Sequence, residues 1–221
     1  GHDGAGPENS FGVNIRLPWE QGANPVIAED KKLITFKYFF TRKLIFIRHS
    51  DAIVLFPGGF GTLDEGYEAI TPMQTVKAQL MPLVLVDRPG GAYWKTWDKN
   101  IREQLLRDKL ISPEDLNLYQ ITDSTEEAVK IVVRFYRNFH STRYVKDRFI
   151  IRLKHAPTES AIAALNEDFS DIIVSGKIEV IPPTPEETDD KDHLELARIA
   201  FNFNKRDHGR LRQMIDGLNG L

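Results

Sequence analysis

The chain has 221 residues, of which 41% are hydrophobic and 28% are charged, and its formal net charge is −3. This composition is typical of a globular protein with one sizeable core, and the scattered, near-neutral charge gives no electrostatic reason to expect a nucleic-acid partner. The absence of cysteine excludes disulfides, thiolate metal sites and a cysteine nucleophile.

A membrane or secretory segment is not expected either. No apolar run approaches the roughly 20 residues that a membrane-spanning helix needs, and no secretory hydrophobic segment is visible. The chain begins with Gly1 rather than methionine. A preceding segment is therefore compatible with the sequence, and it could contain a targeting signal. Cytoplasmic localisation and no membrane partner are the default expectations.

The N-terminal region is predicted to contain one strand and one helix. Phe11–Leu17 alternates between apolar and polar residues, which favours a short strand that ends at Pro18. Trp19–Glu29 contains glycine, asparagine and proline and is interpreted as a loop. From Leu33 to Ser50, apolar residues recur at helical spacing, so this segment is predicted to be a helix.

Strands and helices alternate in the middle of the chain. The predicted elements are a strand over Ala52–Phe56, a helix over Gly61–Lys77, a strand over Pro82–Val86, a helix over Ala92–Leu110, a strand over Leu118–Thr122 and a helix from an Asp123 or Ser124 cap to His140. The first two strands are continuous apolar runs, which is typical of parallel strands buried on both faces. The alternation predicts an α/β, Rossmann-like fold with helices on both faces of a parallel sheet.

The C-terminal region follows a different pattern. The predicted elements are strands over Arg148–Lys154, Ile178–Ile181 and Arg198–Asn204, helices over Thr158–Phe169 and His208–Leu218, and an exposed acidic loop over Thr184–Asp192. This order predicts a small α+β extension with antiparallel strands. The chain is therefore divided into a nucleotide-binding domain over residues 1–141 and an extension over residues 142–221.

A glycine-rich turn follows the first buried strand. Gly58, Gly59 and Gly61 lie between Ala52–Phe56 and the next helix, and Thr62 adds a hydroxyl group at the start of that helix. Glycines let the backbone approach an anion closely, and the N–H groups and dipole at a helix N-terminus attract phosphate. Ligands of open α/β sheets bind at this edge of the sheet. A glycine-rich corner taken alone, however, serves purely structural turns equally well.

Carboxylates on the following helix narrow the interpretation. Glu65 and Glu68 are three residues apart and therefore share one helix face. Carboxylates beside a phosphate site need another contact, and a sugar is the natural one, because carboxylates bind ribose hydroxyls and stabilise an oxocarbenium-like transition state. Asp64 points away from that face and is interpreted as a solvated first-turn acid.

Two cations lie in the preceding predicted helix, Arg42 and Lys43. An anion-binding role is favoured for them over extension of the side chains to solvent. The aromatic residues of the same segment are predicted to be core, and these are Phe36, Tyr38, Phe39, Phe40 and Phe46.

With these residues in view, the segment from Gly12 to about His140 resembles the LOG ("Lonely guy") family, whose members are often described as lysine decarboxylases. Those members are phosphoribohydrolases that release a base and ribose 5-phosphate from cytokinin or adenosine monophosphates. The family signature Pro-Gly-Gly-x-Gly-Thr-x-x-Glu is matched at every fixed position by residues 57–65. Arg42-Lys43 matches the family's upstream Arg-Lys pair, and Glu68 matches its second motif glutamate.

The resemblance implies a role for each matching residue. The residues implied to bind substrate are Lys43, Gly58, Gly59, Gly61, Thr62 and Glu68, and the implied catalytic residues are Arg42 and Glu65. Glu65 would stabilise the developing ribosyl cation or orient the attacking water. Arg42 would offset negative charge on the phosphate or the departing base.

This chain departs from the family pattern in two respects. The family's earlier Gly-Gly-Gly-x-Gly-x-Met loop and two preceding strands are not in the sequence, so the chain is expected to be part of a longer protein. Val76 stands where many members have glycine, which is expected to alter the base pocket. The extension after Ser141 lies outside the resemblance and is assigned no activity.

Two other functions compete with the nucleotide hydrolase. A non-catalytic nucleotide carrier on the same fold would tend to lose Arg42 or Glu65, and both are present. A decarboxylase would need a lysine that forms a Schiff base with pyridoxal phosphate, and no such site is evident. The histidines are dispersed, so neither a metal nor a cofactor is expected. A homodimer or higher homo-oligomer is expected from the family.

Overall fold

A short parallel sheet forms the N-terminal unit of the chain. The computed structural model describes residues 2–15 and 27–220, which fall into two compact units, 1–51 and 52–221, each taken here by itself. The elements of the first unit are α1 (His2–Ala5), a 3-10 turn (Pro7–Asn9), β1 (Gly12–Ile15), β2 (Leu33–Phe36) and α2 (Phe39–Arg48). β1 and β2 are parallel, with Gly12 opposite Leu33 and Ile15 opposite Phe36.

The predicted helix over Leu33–Ser50 is wrong in its first turn. Leu33–Phe36 contains the β-branched residues Ile34 and Thr35 and pairs with β1, so the helix begins only at Phe39. The predicted strand over Phe11–Leu17 is present over Gly12–Ile15, and the rest of it, with most of the predicted loop over Trp19–Glu29, lies outside the described residues.

The aromatic residues of this segment are not the core that was predicted. Phe36 is partly buried, whereas the others are between 40% and 70% exposed, and these are Tyr38, Phe39, Phe40 and Phe46. Helical spacing alone did not show which side of the helix would be covered.

The second unit begins with a parallel sheet. Its elements are β3 (Ile53–Leu55), α3 (Phe60–Gln74), β4 (Leu83–Val86), α4 (Tyr93–Asn100), β5 (Gln120–Thr122) and α5 (Thr125–Phe135). The strand order is β3-β4-β5, and both pairs are parallel. All four residues of β4 are at most 1% exposed, as expected for a strand covered on both faces. The predicted α/β, Rossmann-like class is confirmed.

Several predicted boundaries change in this part. α4 continues as a π-helix over Ile101–Leu106, and a 3-10 helix over Pro113–Leu118 precedes β5. Ser124 caps α5 by accepting a hydrogen bond from the backbone N–H of Glu127 at 3.2 Å, so that predicted cap is confirmed. α5 ends at Phe135 rather than His140, because the following residues enter another strand.

The C-terminal part of the second unit is an antiparallel sheet with helices. Its elements are β6 (Phe139–Val145), β7 (Arg148–Leu153), α6 (Glu159–Asp168), a 3-10 turn (Ser170–Ile172), β8 (Ile173–Val180), α7 (Pro185–Asp190), β9 (Ala197–Phe203) and α8 (His208–Leu218). The strand order is β6-β7-β9-β8, so the predicted antiparallel pairing is confirmed. The strand β6 was not predicted, and it forms a hairpin with β7 through Lys146 at a φ of 54°.

The predicted exposed loop over Thr184–Asp192 is wrong, since it contains α7 and a fully buried glutamate. Glu187 is 0% exposed, and its carboxylate accepts hydrogen bonds from Arg152 at 2.7 and 2.8 Å and from Arg198 at 3.0 Å. Both arginines are themselves at most 4% exposed. Thr184 caps α7 in a reciprocal capping box with Glu187. The loop is ordered by a buried ion cluster.

Hydrogen bonds connect the antiparallel sheet to the preceding α/β elements. The side-chain Oδ1 of Asn219 accepts from the backbone N–H groups of Asn138 and Phe139 at 2.9 and 2.8 Å, and its Nδ2 donates to the backbone carbonyl of Phe135 at 2.6 Å. The predicted division after residue 141 falls within β6 and stays a prediction. Among residues 2–15 and 27–220, no helix is long and apolar enough to cross a bilayer.

Gly209 in α8 is a close-contact position that tests this packing. A Cβ added there would lie 2.2 Å from the carbonyl oxygen of Glu114, a backbone atom that cannot move cheaply. We expect Gly209→Ala to lower the free energy of unfolding by about 1–3 kcal/mol, the usual cost of overpacking. Gly217→Ala in the same helix is the control, because nothing lies within 4 Å of its added Cβ. For Gly217→Ala we expect the free energy of unfolding, measured in urea, to rise by about 0.5–1 kcal/mol. Equal effects of the two substitutions would contradict the packing described.

Candidate functional site

The glycine-rich turn lies at the carboxyl end of β3 and opens α3. Gly59 is the N-cap residue of α3, and its carbonyl oxygen accepts from the N–H of Thr62 at 3.1 Å. Gly58–Gly61 are exposed, so the helix N-terminus is open to solvent. The Tyr93 hydroxyl donates to the Gly58 carbonyl at 2.7 Å and holds the turn from the side of α4.

The glycines of the turn differ in what the fold requires of them. A Cβ at Gly58 would meet the Thr62 hydroxyl oxygen at 2.2 Å, so this position is closed by the turn itself. A Cβ at Gly59 or Gly61 would meet nothing within 4 Å, and neither residue has a positive φ. The fold therefore gives a steric reason for glycine at Gly58 and none at Gly59 or Gly61. Open space above Gly59 and Gly61 is what a bound anion would occupy.

The two glutamates of α3 are partly buried, below the turn. Oε2 of Glu65 and Oε2 of Glu68 are both shielded from solvent. Asp64 is exposed, as predicted, but α3 begins at Phe60, so Asp64 lies beyond the first turn in which it was predicted. Gly66 allows α3 to approach β3, because a Cβ there would lie 3.2 Å from Leu55. The helix is thus seated on the sheet with Glu65 and Glu68 partly enclosed.

Arg42 and Lys43 lie in α2 of the first unit. Lys43 is 5% exposed, which argues against simple extension of its side chain to solvent. The Lys43 ammonium lies 4.7 Å from the centre of the Phe39 ring, and the Arg42 guanidinium carbon lies 5.1 Å from it. The glycine-rich motif belongs to the second unit. The joint action of Arg42 and Glu65 therefore stays a prediction.

A cleft of about 900 Å³ lies at the carboxyl ends of β3, β4 and β5. It is lined by Phe56, Pro57, Val86, Asp87, Arg88, Pro89, Ala92, Tyr93, Asp123, Ser124, Thr125 and Glu126. Asp87 accepts from the backbone N–H groups of Arg88 and Trp94 at 2.9 and 3.3 Å, which fixes the loop before α4. The cleft has the size of a small-molecule site and adjoins the glycine-rich turn.

Tyr93 and Asp87 were not predicted as site residues. The signal for Asp87 was available, because it directly follows β4 and side chains in that position gather at the ligand-binding edge of the sheet. Tyr93 lies further along the chain, at the start of α4, where no local pattern indicated its contact with Gly58. Val76, expected to alter the base pocket, lies instead beside a second cavity of about 370 Å³. Its expected effect on the base stays a prediction. In the described ranges, no group of three or more histidine, aspartate or glutamate side chains could hold a metal ion.

The fold and the site define a Rossmann-like α/β protein with a glycine-rich, carboxylate-bearing turn at the ligand-binding edge of its sheet. Residues 3–132 match the sequence model of the family described as "Possible lysine decarboxylase", and the chain belongs to this family. The resemblance to the LOG family, which often carries that description, is thereby confirmed. No curated protein matches the chain. The family match ends within α5, so the antiparallel sheet lies outside it.

Proposed function

We propose that this chain hydrolyses the N-glycosidic bond of a nucleoside 5′-monophosphate, either adenosine monophosphate or a cytokinin riboside monophosphate. The products are a free base and ribose 5-phosphate. One observation carries the proposal: the exposed turn has open space above Gly59 and Gly61, and the same helix carries Glu65 and Glu68. Phosphate and ribose are the two substrate groups that these features recognise.

The 5′-phosphate would bind at the start of α3. The first N–H groups of a helix have no partner within the helix, and the helix dipole favours an anion there. The Thr62 hydroxyl is placed beside Gly58 and can donate to a phosphate oxygen. Lys43 and Arg42 of the first unit are proposed to neutralise the remaining phosphate charge.

Glu65 would act on the ribose. As the C1′–N bond breaks, its electron pair leaves with the base, and positive charge develops on C1′ and the ring oxygen. The Glu65 carboxylate stabilises that charge or orients the water that attacks C1′. The attacking water ends as the C1′ hydroxyl, and its other proton is taken up by the base. Glu68 binds ribose hydroxyls or supports Glu65.

The family description also names a lysine decarboxylase, a reaction that ordinarily uses pyridoxal phosphate on a lysine. Lys43 is the buried lysine of the described residues. Its ammonium lies 4.7 Å from the centre of the Phe39 ring, a cation–π contact. None of the described residues that line the cleft is a lysine, so the cleft offers no amine for the Schiff base of that cofactor.

Release of ribose 5-phosphate from a panel of nucleoside monophosphates tests the proposal. We expect the full-length protein to release base and ribose 5-phosphate in equal amounts from a purine monophosphate. The same nucleoside without phosphate should be a poor substrate. Saturable nucleotide binding without turnover would instead show a carrier. Visible absorbance of bound pyridoxal phosphate, with release of carbon dioxide from lysine, would show the decarboxylase. A homo-oligomer and a cytoplasmic location remain expectations.

The Gly61→Ala variant tests the phosphate position separately. Gly61 is the second residue of α3 with nothing within 4 Å of an added Cβ, so alanine fits the folded chain. We expect unchanged or slightly higher stability, and a KM for the nucleotide raised about tenfold, because the methyl group occupies the phosphate position. Unaltered KM would place the phosphate elsewhere.

A further inference from the structure

His208 connects the C-terminal sheet region to the last turn of the motif helix α3. Its Nδ1 atom lies 2.5 Å from the carbonyl oxygen of Met73, which is fully buried. The ring is 5% exposed and stacks on Phe203, with 5.6 Å between the ring centres. Because a carbonyl oxygen can only accept, Nδ1 carries a proton and donates it. In the neutral ring, Nε2 is then unprotonated.

Further contacts converge on the same turn of α3. The Gln74 amide donates to the Asp115 carboxylate at 2.7 Å, which ties α3 to the 3-10 helix over Pro113–Leu118. Gly209 brings α8 against the backbone of Glu114. The end of α3 is therefore held by two other segments of the second unit.

The last turn of α3 depends on such contacts because its own backbone is weakened. Pro72 has no N–H to donate to the Glu68 carbonyl oxygen four residues earlier. Val76 follows with a φ of 63°, a conformation that is unfavourable for a β-branched residue. Met73 is about 7.5 Å along the helix axis from Glu68, so a shift at one reaches the other.

We propose that His208 is a positioning residue: its neutral imidazole fixes the end of α3, and through it Glu65 and Glu68, so that acid weakens the site. The activity readout of this proposal rests on the proposed hydrolase function. The hydrogen-bond geometry does not.

The sign of the acid effect follows from the surroundings of His208. Burial lowers the pKa of His208 below its ordinary value, although the hydrogen bond to Met73 acts in the opposite direction. Among the described residues, Nε2 has no hydrogen-bond partner, so a second proton would be buried without an acceptor. The stabilisation is complete above the ordinary pKa near 6.5 and is lost as pH falls through the lower folded value.

The charged and titratable groups around His208 do not reverse this sign. Lys77, Arg143 and Tyr144 line the same cavity as the imidazole, and Arg143 pairs with Asp190 and Asp192. The Asp115 carboxylate is bound by Gln74 and by the N–H of Ser112, and Asp207 accepts from Asn204. The other charged groups of α8 and of the 3-10 helix are Glu114, Arg210, Arg212 and Asp216. Arg210 pairs with Asp171, and Arg212 pairs with Asp216.

Two substitutions of His208 distinguish the effect of its hydrogen-bond donor from the effect of its protonation. His208→Asn places an amide N–H close to the position of Nδ1 and cannot be protonated. His208→Phe keeps the stacking on Phe203 and removes the donor. Exposed His155 in the same part of the chain gives the matched control, His155→Asn.

Turnover and amide hydrogen exchange are measured from about pH 8 down to the lowest pH at which circular dichroism shows the folded chain. We expect wild type and His155→Asn to lose kcat reversibly on acidification, with KM nearly constant. His208→Asn should be much less sensitive to acid. His208→Phe should have kcat lowered about tenfold or more at every pH, since misplacement of a catalytic group is costly. Amides in the last two turns of α3 should lose protection in His208→Phe and keep it in His208→Asn.

The outcomes distinguish this proposal from the proposed function. If no variant hydrolyses nucleotides, exchange in α3 still tests the role of His208. The same acid response in wild type and His208→Asn would overturn the proposal. So would unchanged α3 exchange and kcat in His208→Phe. Should His208→Phe fail to fold, the comparison of wild type with His208→Asn decides.

Discussion

Replacing Glu65 with glutamine is expected to lower kcat for nucleotide hydrolysis by roughly 10²- to 10⁴-fold. The amide has nearly the size of the carboxylate but no charge, so it cannot stabilise positive charge on the ribose or activate water. Binding of the phosphate at the turn should continue, so KM should change little. Initial rates of ribose 5-phosphate release measure both parameters, and urea unfolding checks that the fold is retained.

Asp64→Asn is the matched control for this experiment. It removes the same charge from the adjacent residue of the same helix, but Asp64 is exposed where Glu65 is partly buried. We expect its kcat to stay within about twofold of wild type, since a screened surface charge acts weakly on the site. An equal loss in both variants would show a general effect of charge on α3, and full activity in Glu65→Gln would remove the proposed role.

Glu187→Ala is expected to lower the free energy of unfolding by about 3–5 kcal/mol. The reason is that Arg152 and Arg198 are buried against this carboxylate, at 4% and 0% exposure, and would be left without its charge. The Thr184 cap of α7 would also lose its reciprocal partner. Urea unfolding followed by near-UV circular dichroism measures the loss.

Glu186→Ala provides the comparison, and pH provides a second test. Glu186 is partly exposed and pairs at 3.4 Å with Lys146, whose side chain is 85% exposed, so we expect a change below about 1 kcal/mol. Burial would raise the pKa of Glu187, but hydrogen bonds from Thr184, Arg152 and Arg198 outweigh it and the pKa is lowered. The stabilisation is therefore present above the ordinary value near 4.5 and is lost in stronger acid. A destabilisation that did not shrink in acid would contradict the ion cluster.

The parallel sheet of the second unit was predictable because its signals are local. β4 is a continuous apolar run, and its residues prove to be fully buried. The turn at Gly58 lies between a predicted strand and a predicted helix. The strand, the glycines and the helix start therefore all indicated the same turn. The segment of β2 was predicted to be helix because the spacing of its apolar residues does not show that it pairs with β1.

The C-terminal errors have a similar origin. An acidic segment resembles a solvated loop until its partners are known, and Arg152 and Arg198 lie 35 and 11 residues from Glu187. One local signal was nevertheless present, because Thr184 with Glu187 three residues later is a capping-box pattern. For the site, the glycines and glutamates were found from the motif. Tyr93 and His208 act through contacts with distant backbone carbonyls, which no local pattern announces.

The contact between His208 and Met73 joins residues 135 positions apart, and Asn219 joins residues 84 positions earlier. Contacts over such distances form slowly, because a long chain segment must be closed before they give any stabilisation. We therefore expect the end of α3 to reach its final position late in folding, after the antiparallel sheet and α8 are in place. During synthesis, about 150 further residues must be added after the glycine-rich turn before the residues that hold the end of α3 are present.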